Sequence, residues 1–173
     1  LFGEPETWVA LLIEALLHDG QGAAGDAQTL RDQAFEQAPA SSGTIDGKAF
    51  AWMADADMRL GPVLEAVING RYYWVPMVHL VKVDIETPVD LRYTVWTAAH
   101  LEFTNGGESV ALIPTRYAGT DLTHPALALA RKTEWNEAQP GCYTGSGQRT
   151  ITTDAGDFGL MDVRSISFDR TVS

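Results

Sequence analysis

Asp55 and Asp57 are the first residues along the chain whose types and spacing could do chemistry. Two carboxylates one residue apart can hold a divalent cation. A calcium loop also needs further oxygen ligands and a bidentate acid at fixed offsets, and these do not follow here. An aspartate just before an apolar helical pattern can instead accept hydrogen bonds from the first backbone N–H groups of a helix. We therefore predict that Asp55 or Asp57 caps a helix.

A hydrolytic centre is a second interpretation, formed by Asp154, Asp157 and His100. Carboxylates and a histidine can move protons during hydrolysis without a metal. These three residues could meet only through folding, because no spacing in the sequence requires it. The Asp-Phe-Gly triplet at 157–159 also occurs in kinases, but no glycine-rich loop, strand lysine or catalytic-loop motif precedes it. A small metal-independent hydrolase is therefore kept only as an alternative function.

The histidines and the single cysteine form no recognisable site in the sequence. His18, His79, His100 and His124 are far apart and lack a second ligand at metal-binding spacing. Cys142 lies in a glycine-rich segment without a nearby base, so a catalytic thiol is not expected. We predict that the chain uses no metal and no cofactor and is not an enzyme.

Aromatic and arginine residues are stronger candidates, because these types dominate the energetics of protein interfaces. Packing in the core is the alternative for Trp74 in particular. Together with the apolar surface of the first helix, the residues predicted to bind a partner protein are Trp8, Val9, Leu12, Ile13, Leu16, Arg71, Trp74, Arg116 and Trp135.

The first predicted helix, over residues 6–17, is apolar on two adjacent faces. These faces consist of Trp8, Leu12 and Leu16 on one side and Val9, Ile13 and Leu17 on the other. A helix that is apolar nearly all round is covered on two sides. We expect one face to pack inside the protein, and the other to receive a helix from upstream or from a partner, or to drive self-association.

Two further helices are predicted in the first 70 residues. The second spans 26–38 and forms with the first a hairpin that resembles the tetratricopeptide type. The third spans 57–68, because its apolar residues follow helical spacing. Those residues are Leu60, Val63, Leu64, Val67 and Ile68.

Strand patterns replace helical ones after residue 70. Strands are predicted at 72–75, 81–85, 101–104, 109–114, 148–153 and 158–168. Residues 126–135 suit a short helix or a strand, and 140–147 suits a flexible loop. The sequence thus predicts an α+β fold: a helical hairpin over 1–40, then over 41–173 a helix leading into a mostly antiparallel, curved sheet.

Composition restricts the class of partner. The 173 residues carry a formal charge of −11, and residues 1–57 contribute −8 of it, from ten acids and two bases. Such a surface repels nucleic acid and attracts a basic protein. No apolar run reaches the roughly 18 residues of a membrane span. One cysteine and no basic segment before an apolar one predict a cytoplasmic protein without a signal peptide.

An ordered set of segments resembles one protein family. The segments are Leu-Phe-Gly-Glu-Pro-Glu-Thr-Trp at 1–8, Gly-Thr-Ile-Asp-Gly at 43–47, Ala-Asp-Ala-Asp-Met-Arg-Leu-Gly-Pro-Val-Leu-Glu at 54–65, Asn-Gly-Arg-Tyr-Tyr-Trp-Val-Pro at 69–76, Leu-Ile-Pro-Thr-Arg-Tyr at 112–117, Arg-Lys-Thr-Glu-Trp at 131–135 and Gly-Leu-Met-Asp-Val-Arg at 159–164. No single segment is specific, but their order over almost the whole chain resembles the carboxy-terminal region of ImpE, also called SciE or TagJ.

The resemblance implies a non-enzymatic accessory protein of the type VI secretion system of Gram-negative bacteria. Members of the family associate with the contractile sheath through its TssB subunit and with the ATPase ClpV. They usually carry a tetratricopeptide-like helical region before the segment seen here. Because that region is absent from this chain, some of the implied partner contacts are in doubt. A purely structural domain that stabilises such helices is a third interpretation.

Overall fold

The structure is a computed structural model that describes residues 5–170 and 172. Two helices, α1 (Thr7–Gly20) and α2 (Ala24–Gln37), form the predicted hairpin. Chain reversal between them uses Gly22, whose φ of 78° is left-handed. Alanines at 15, 27 and 34 are fully buried and let the two helices approach closely. Residues 1–4, which begin the first family segment, lie outside the described residues.

Thirteen strands and one short α-helix follow within the described residues. They are β1 (Gly43–Ile45), β2 (Lys48–Phe50), β3 (Met53–Asp55), β4 (Val63–Ile68), β5 (Arg71–Pro76), β6 (Leu80–Ile85), β7 (Trp96–Phe103), β8 (Glu108–Pro114), α3 (Pro125–Ala128), β9 (Thr133–Gln139), β10 (Cys142–Gly147), β11 (Thr150–Thr153), β12 (Gly156–Gly159) and β13 (Ser165–Phe168). The largest sheet has the order β2-β1-β13-β6-β7-β8-β4-β5 and is open, with β2 and β5 at its edges. A three-stranded sheet, β12-β11-β3, and the hairpin β9–β10 complete the fold. The α+β prediction is confirmed.

The predicted third helix is wrong, because its second half is strand β4. Asn69 and Gly70 have φ values of 51° and 74°, a two-residue turn that joins β4 to β5 as a hairpin. Leu64, Ala66 and Ile68 point to one core while Val63 points to another. Because this strand has apolar residues on both faces, its apolar positions also match the spacing of a helix. Consequently neither Asp55 nor Asp57 caps a helix.

The predicted flexible loop at 140–147 is also wrong, because it contains β10, which pairs with β9. A Cβ atom added to Gly145 would overlap the ring of Tyr117 and lie 3.0 Å from Trp135. Glycine is therefore required here by close packing rather than by flexibility. The ambiguous segment 126–135 divides between α3 and the start of β9.

Two apolar cores hold the fold together. The main core lies among strands of the eight-stranded and three-stranded sheets and is centred on Val75, Leu80, Leu101, Ile113 and Ile151. In the helical core, the α1–α2 hairpin packs against β4 and β5. This core consists of Trp8, Val9, Leu12, Ala34, Leu60, Val63 and Trp74. Among the described residues, no helix is long and apolar enough to cross a membrane.

Candidate functional site

A groove of about 470 Å³ lies beside the helical core and is lined by residues of α1, β4 and β5. Its walls are mostly apolar, with a few polar groups from the sheet. The residues that line this groove are Ile13, Leu16, Arg59, Leu60, Glu65, Tyr72, Trp74, Tyr117 and Ala118. Concave, largely apolar surfaces with a few fixed polar groups are the usual form of a binding site.

Helix α1 contributes fewer open residues than the sequence predicts. Trp8, Val9 and Leu12 are buried in the helical core. Val9, which the sequence predicts to bind a partner, is thus covered by the hairpin and the sheet together. Ile13 is only partly buried and faces the groove, and Leu17 is 61% exposed. The apolar residues of α1 that line the groove are thus Ile13 and Leu16.

The groove wall on the sheet side is fixed by a chain of hydrogen bonds. The indole Nε1 of Trp74 donates to the hydroxyl of Tyr72 at 2.8 Å. That hydroxyl donates to a carboxylate oxygen of Glu65. Trp74, Tyr72 and Glu65 lie on one face of the β4–β5 hairpin, because Glu65 pairs with Trp74 and Val67 with Tyr72. The two rings are therefore held in defined orientations.

Arg149 connects this wall to the interior. Its guanidinium is fully buried and donates through Nη1 to Asp55 at 2.6 Å, through Nη2 to Glu65, and through Nε to the carbonyl of Pro114 at 2.9 Å. The guanidinium carbon lies 5.0 Å from the centre of the Tyr117 ring. Tyr117 in turn donates its hydroxyl to Asp55 at 2.7 Å. One arginine thus joins two sheets and the groove.

Asp57 fixes the loop before β4. It accepts from the Arg59 side chain through both oxygens, at 2.6 Å for Nη2 and 2.9 Å for Nε. It also accepts from the backbone N–H of Gly145 at 2.8 Å, which ties the loop to β10. Asp55, Asp57, Arg59, Glu65, Tyr72, Trp74, Tyr117 and Arg149 are called the charged network below.

Burial determines the electrostatics of this network. Desolvation raises the pKa of Asp55 above its ordinary value of 3.8, although Arg149 and the hydroxyl of Tyr117 oppose the shift. Desolvation and the neighbouring Asp55 raise the pKa of the Tyr117 hydroxyl, and desolvation and Glu65 do the same for Tyr72. Both tyrosines are therefore hydrogen-bond donors at neutral pH.

The other predicted binding residues lie apart from the groove. Arg71 is exposed beside the β4–β5 turn. Arg116 donates to the carbonyl of Ala128 at 2.7 Å and lines an adjoining depression. Trp135 is 42% exposed and its ring centre lies 5.9 Å from that of Tyr117. Of the predicted set, the structure brings Ile13, Leu16 and Trp74 together in the groove.

Sequence reasoning missed Arg149 and Glu65, which connect the parts of the network. Arg149, Ile151 and Thr153 alternate as buried positions before and along β11. A basic residue at an inward position of a strand pattern is a signal that could have identified Arg149.

The residues of the alternative hydrolytic site lie in different sheets. His100 is on β7, where it pairs with Asp84 and Val110. Asp154 accepts from the backbone N–H of Ala51 at 2.7 Å, and Asp157 accepts from the hydroxyl of Thr152. Within the part of the chain that the structure describes, no hydrogen bond or ion pair joins His100 to either aspartate. The structure thus places His100 in a different sheet from Asp157.

Comparison with known proteins gives three results. A family model described as "ImpE protein" matches residues 47–167. The type VI secretion system accessory component TagJ of Pseudomonas aeruginosa is 48% identical over 172 residues, which cover 99% of this chain and 60% of that protein. The crystal structure of protein VPA1032 from Vibrio parahaemolyticus superimposes with a TM-score of 0.89 at 21% identity, covering 99% of this chain and 65% of that one.

Different matches support the fold and the family. The structural match, at 21% identity, supports the fold alone. The family match extends from Gly47 at the β1–β2 turn to Ser167 in β13 and so includes the whole charged network. The chain spans less than two thirds of the length of both similar proteins. By the extent of the family match, the chain belongs to the ImpE protein family.

Proposed function

We propose that this chain is a non-enzymatic accessory component of a bacterial type VI secretion system that acts in the cytoplasm by binding other proteins. The observation that carries the proposal is the 48% identity to TagJ along 99% of the chain. The partners proposed are the sheath subunit TssB, the ATPase ClpV, or both.

The groove supports binding to a protein segment. Its walls combine aliphatic side chains of α1 with the aromatic rings of Tyr72 and Trp74, and aromatic residues contribute most to protein interfaces. Ile13 and Leu16 are three residues apart on α1, a spacing that presents one apolar strip to an incoming helix. TssB, through a helix, is therefore the first partner to test.

A matched pair of variants tests this proposal. Leu16 lines the groove, whereas Leu17, the next residue of α1, is exposed and does not. We expect Leu16→Ser to weaken TssB binding by about tenfold or more, because a buried leucine contact contributes about 1.5–3 kcal/mol. Leu17→Ser should leave the affinity within about twofold. Isothermal titration calorimetry with purified TssB, and separately with ClpV, gives both numbers.

The outcomes separate the binding role from a purely structural one. No binding of the wild-type chain to TssB or ClpV contradicts the accessory role proposed here. Equal effects of Leu16→Ser and Leu17→Ser place the interface elsewhere, with exposed Trp135 and Arg71 as the next candidates. A purely structural role is favoured if the chain binds neither protein, and if deleting the corresponding region from a longer relative causes the upstream helices of that relative to unfold.

A further inference from the structure

The charged network contains more acids than bases. Asp55, Asp57 and Glu65 supply three carboxylates, and Arg59 and Arg149 supply two guanidinium groups. Arg59 is neutralised by Asp57, while Arg149 is shared between Asp55 and Glu65. The network therefore has one carboxylate more than it has guanidinium groups. An excess negative charge in a buried setting favours the binding of a proton or of an external cation.

Glu65 is the carboxylate of the Arg149 pair that lies at the groove. Its side chain is 15% exposed, whereas that of Asp55 is 1% exposed. Its two oxygens accept from Tyr72 and Arg149. A carboxylate has about four lone-pair sites, so Glu65 can accept a further charged donor from the groove.

Aromatic rings surround the same place. Tyr72 and Trp74 both line the groove, and the hydrogen bonds from Trp74 to Tyr72 to Glu65 fix the rings beside the carboxylate. A cation within about 6 Å of an aromatic ring is attracted to its face, and arginine stacks best because its guanidinium is planar. Rings next to a carboxylate therefore form a site suited to a guanidinium group.

The helical side of the groove has the same sign of charge. In residues 7–37, which include α1 and α2, Arg31 is the only lysine or arginine, and it is buried against Asp19. Glu14, next to Ile13 on α1, is exposed. Such a surface attracts a basic segment and guides its approach.

We propose that the groove recognises an arginine side chain of a partner protein segment, with the aliphatic part of the side chain against Ile13 and Leu16 and the guanidinium against Tyr72, Trp74 and Glu65. The inference rests on the proposed function, since it specifies the chemistry of the segment that such a partner presents. It requires one basic residue within the apolar strip of that segment.

The test compares two probes that differ in charge but hardly in shape, N-acetyl-arginine amide and N-acetyl-citrulline amide. Binding is followed by the NMR shift of the Trp74 indole N–H, assigned with Trp74→Phe. We expect arginine to bind about tenfold tighter than citrulline. Glu65→Gln should abolish this preference, and Glu108→Gln, which removes an exposed acid of β8, should preserve it.

Tyr72→Leu provides a second variant, because Tyr72 is 56% exposed and its replacement spares the core. It should reduce the arginine preference severalfold without lowering the melting temperature by more than a few degrees. Equal binding of the two probes, binding of neither, or a preference that survives Glu65→Gln overturns the inference. A failure of TssB and ClpV to bind leaves the probe result readable, so the two proposals fail separately.

Discussion

The main core and the centre of the charged network, Arg149 with Asp55, are both buried, yet the first is apolar and the second is ionic. Leu101 and Arg149 are each fully buried. The main core consists mostly of aliphatic side chains. Their burial is favourable in any arrangement of the side chains that leaves no voids. The network instead requires each buried charge to meet a specific partner, since an unpaired buried charge is costly. Apolar packing thus stabilises the fold, while the network specifies the geometry of the groove.

The largest expected effect comes from breaking the network at its centre. Arg149→Met keeps much of the side-chain volume but leaves Asp55 and Glu65 without their shared cation. We expect the free energy of unfolding to fall by about 3–5 kcal/mol, measured by urea denaturation at pH 7. A combined Asp55→Asn, Glu65→Gln, Arg149→Met variant should recover part of this loss, because it no longer buries the charges. If the combined variant is less stable than Arg149→Met, the charges are not the cause.

Leu101→Ala provides the corresponding change in the main core. Leu101 is fully buried on β7, so its truncation should cost about 3 kcal/mol through lost burial and the cavity that remains. Leu112→Ala, on neighbouring β8 and partly exposed, should change stability by about 0.5 kcal/mol or less. A loss equal for both variants would contradict the assigned position of the main core. The Leu101 variant should leave groove binding unchanged.

Gly145→Ala tests the packing between β10 and the network. The added methyl group would overlap Tyr117, whose ring also contacts Arg149. We expect a loss of about 1–3 kcal/mol, measured as the shift of the urea midpoint. Gly25→Ala is the control, because a Cβ at this α2 position has open space and should add up to about 1 kcal/mol. Two variants of equal stability would show that β10 can move away from Tyr117.

The smallest effect is a change of slope with pH. Burial raises the pKa of Asp55, so the folded chain holds this proton more tightly than the unfolded chain does. Its contribution to stability is therefore fully present below the ordinary pKa of 3.8 and is lost as the pH rises through the raised value. Asp55→Asn should lack this loss, so its stability relative to the wild type should improve from pH 4 to pH 7. A difference that is constant with pH refutes the raised pKa.

Sequence patterns predicted the elements whose local signals agree with their surroundings. The helical hairpin has clear starts, stops and small packing residues, and β6 alternates visibly between Val83 and Ile85 on one face and polar residues on the other. Strand β4 was mistaken for a helix because two different cores cover its two faces. The Asn-Gly turn at 69–70 was itself a hairpin signal that outweighed the helical spacing.

The groove was only partly predictable for a different physical reason. Ile13, Leu16 and Trp74 carry a local apolar signal, and from this signal the sequence predicts that they bind a partner. Glu65 and Arg149 are ordinary surface types whose roles depend on partners far along the chain. The burial of Val9 is not predictable from the sequence, because the sequence does not reveal how much of a helix the sheet covers.

Arg149 also has a consequence for how the chain folds and unfolds. Its two ion pairs reach 94 residues back to Asp55 and 84 residues back to Glu65. Contacts that close such long loops are slow to form, whereas the β4–β5 and β7–β8 hairpins connect neighbouring segments. We expect the pairs of Arg149 to form after the rate-limiting barrier, so that their loss mainly accelerates unfolding. The ion pairs of Arg149 would then determine the unfolding rate, and so the lifetime of the folded chain, but not the folding rate.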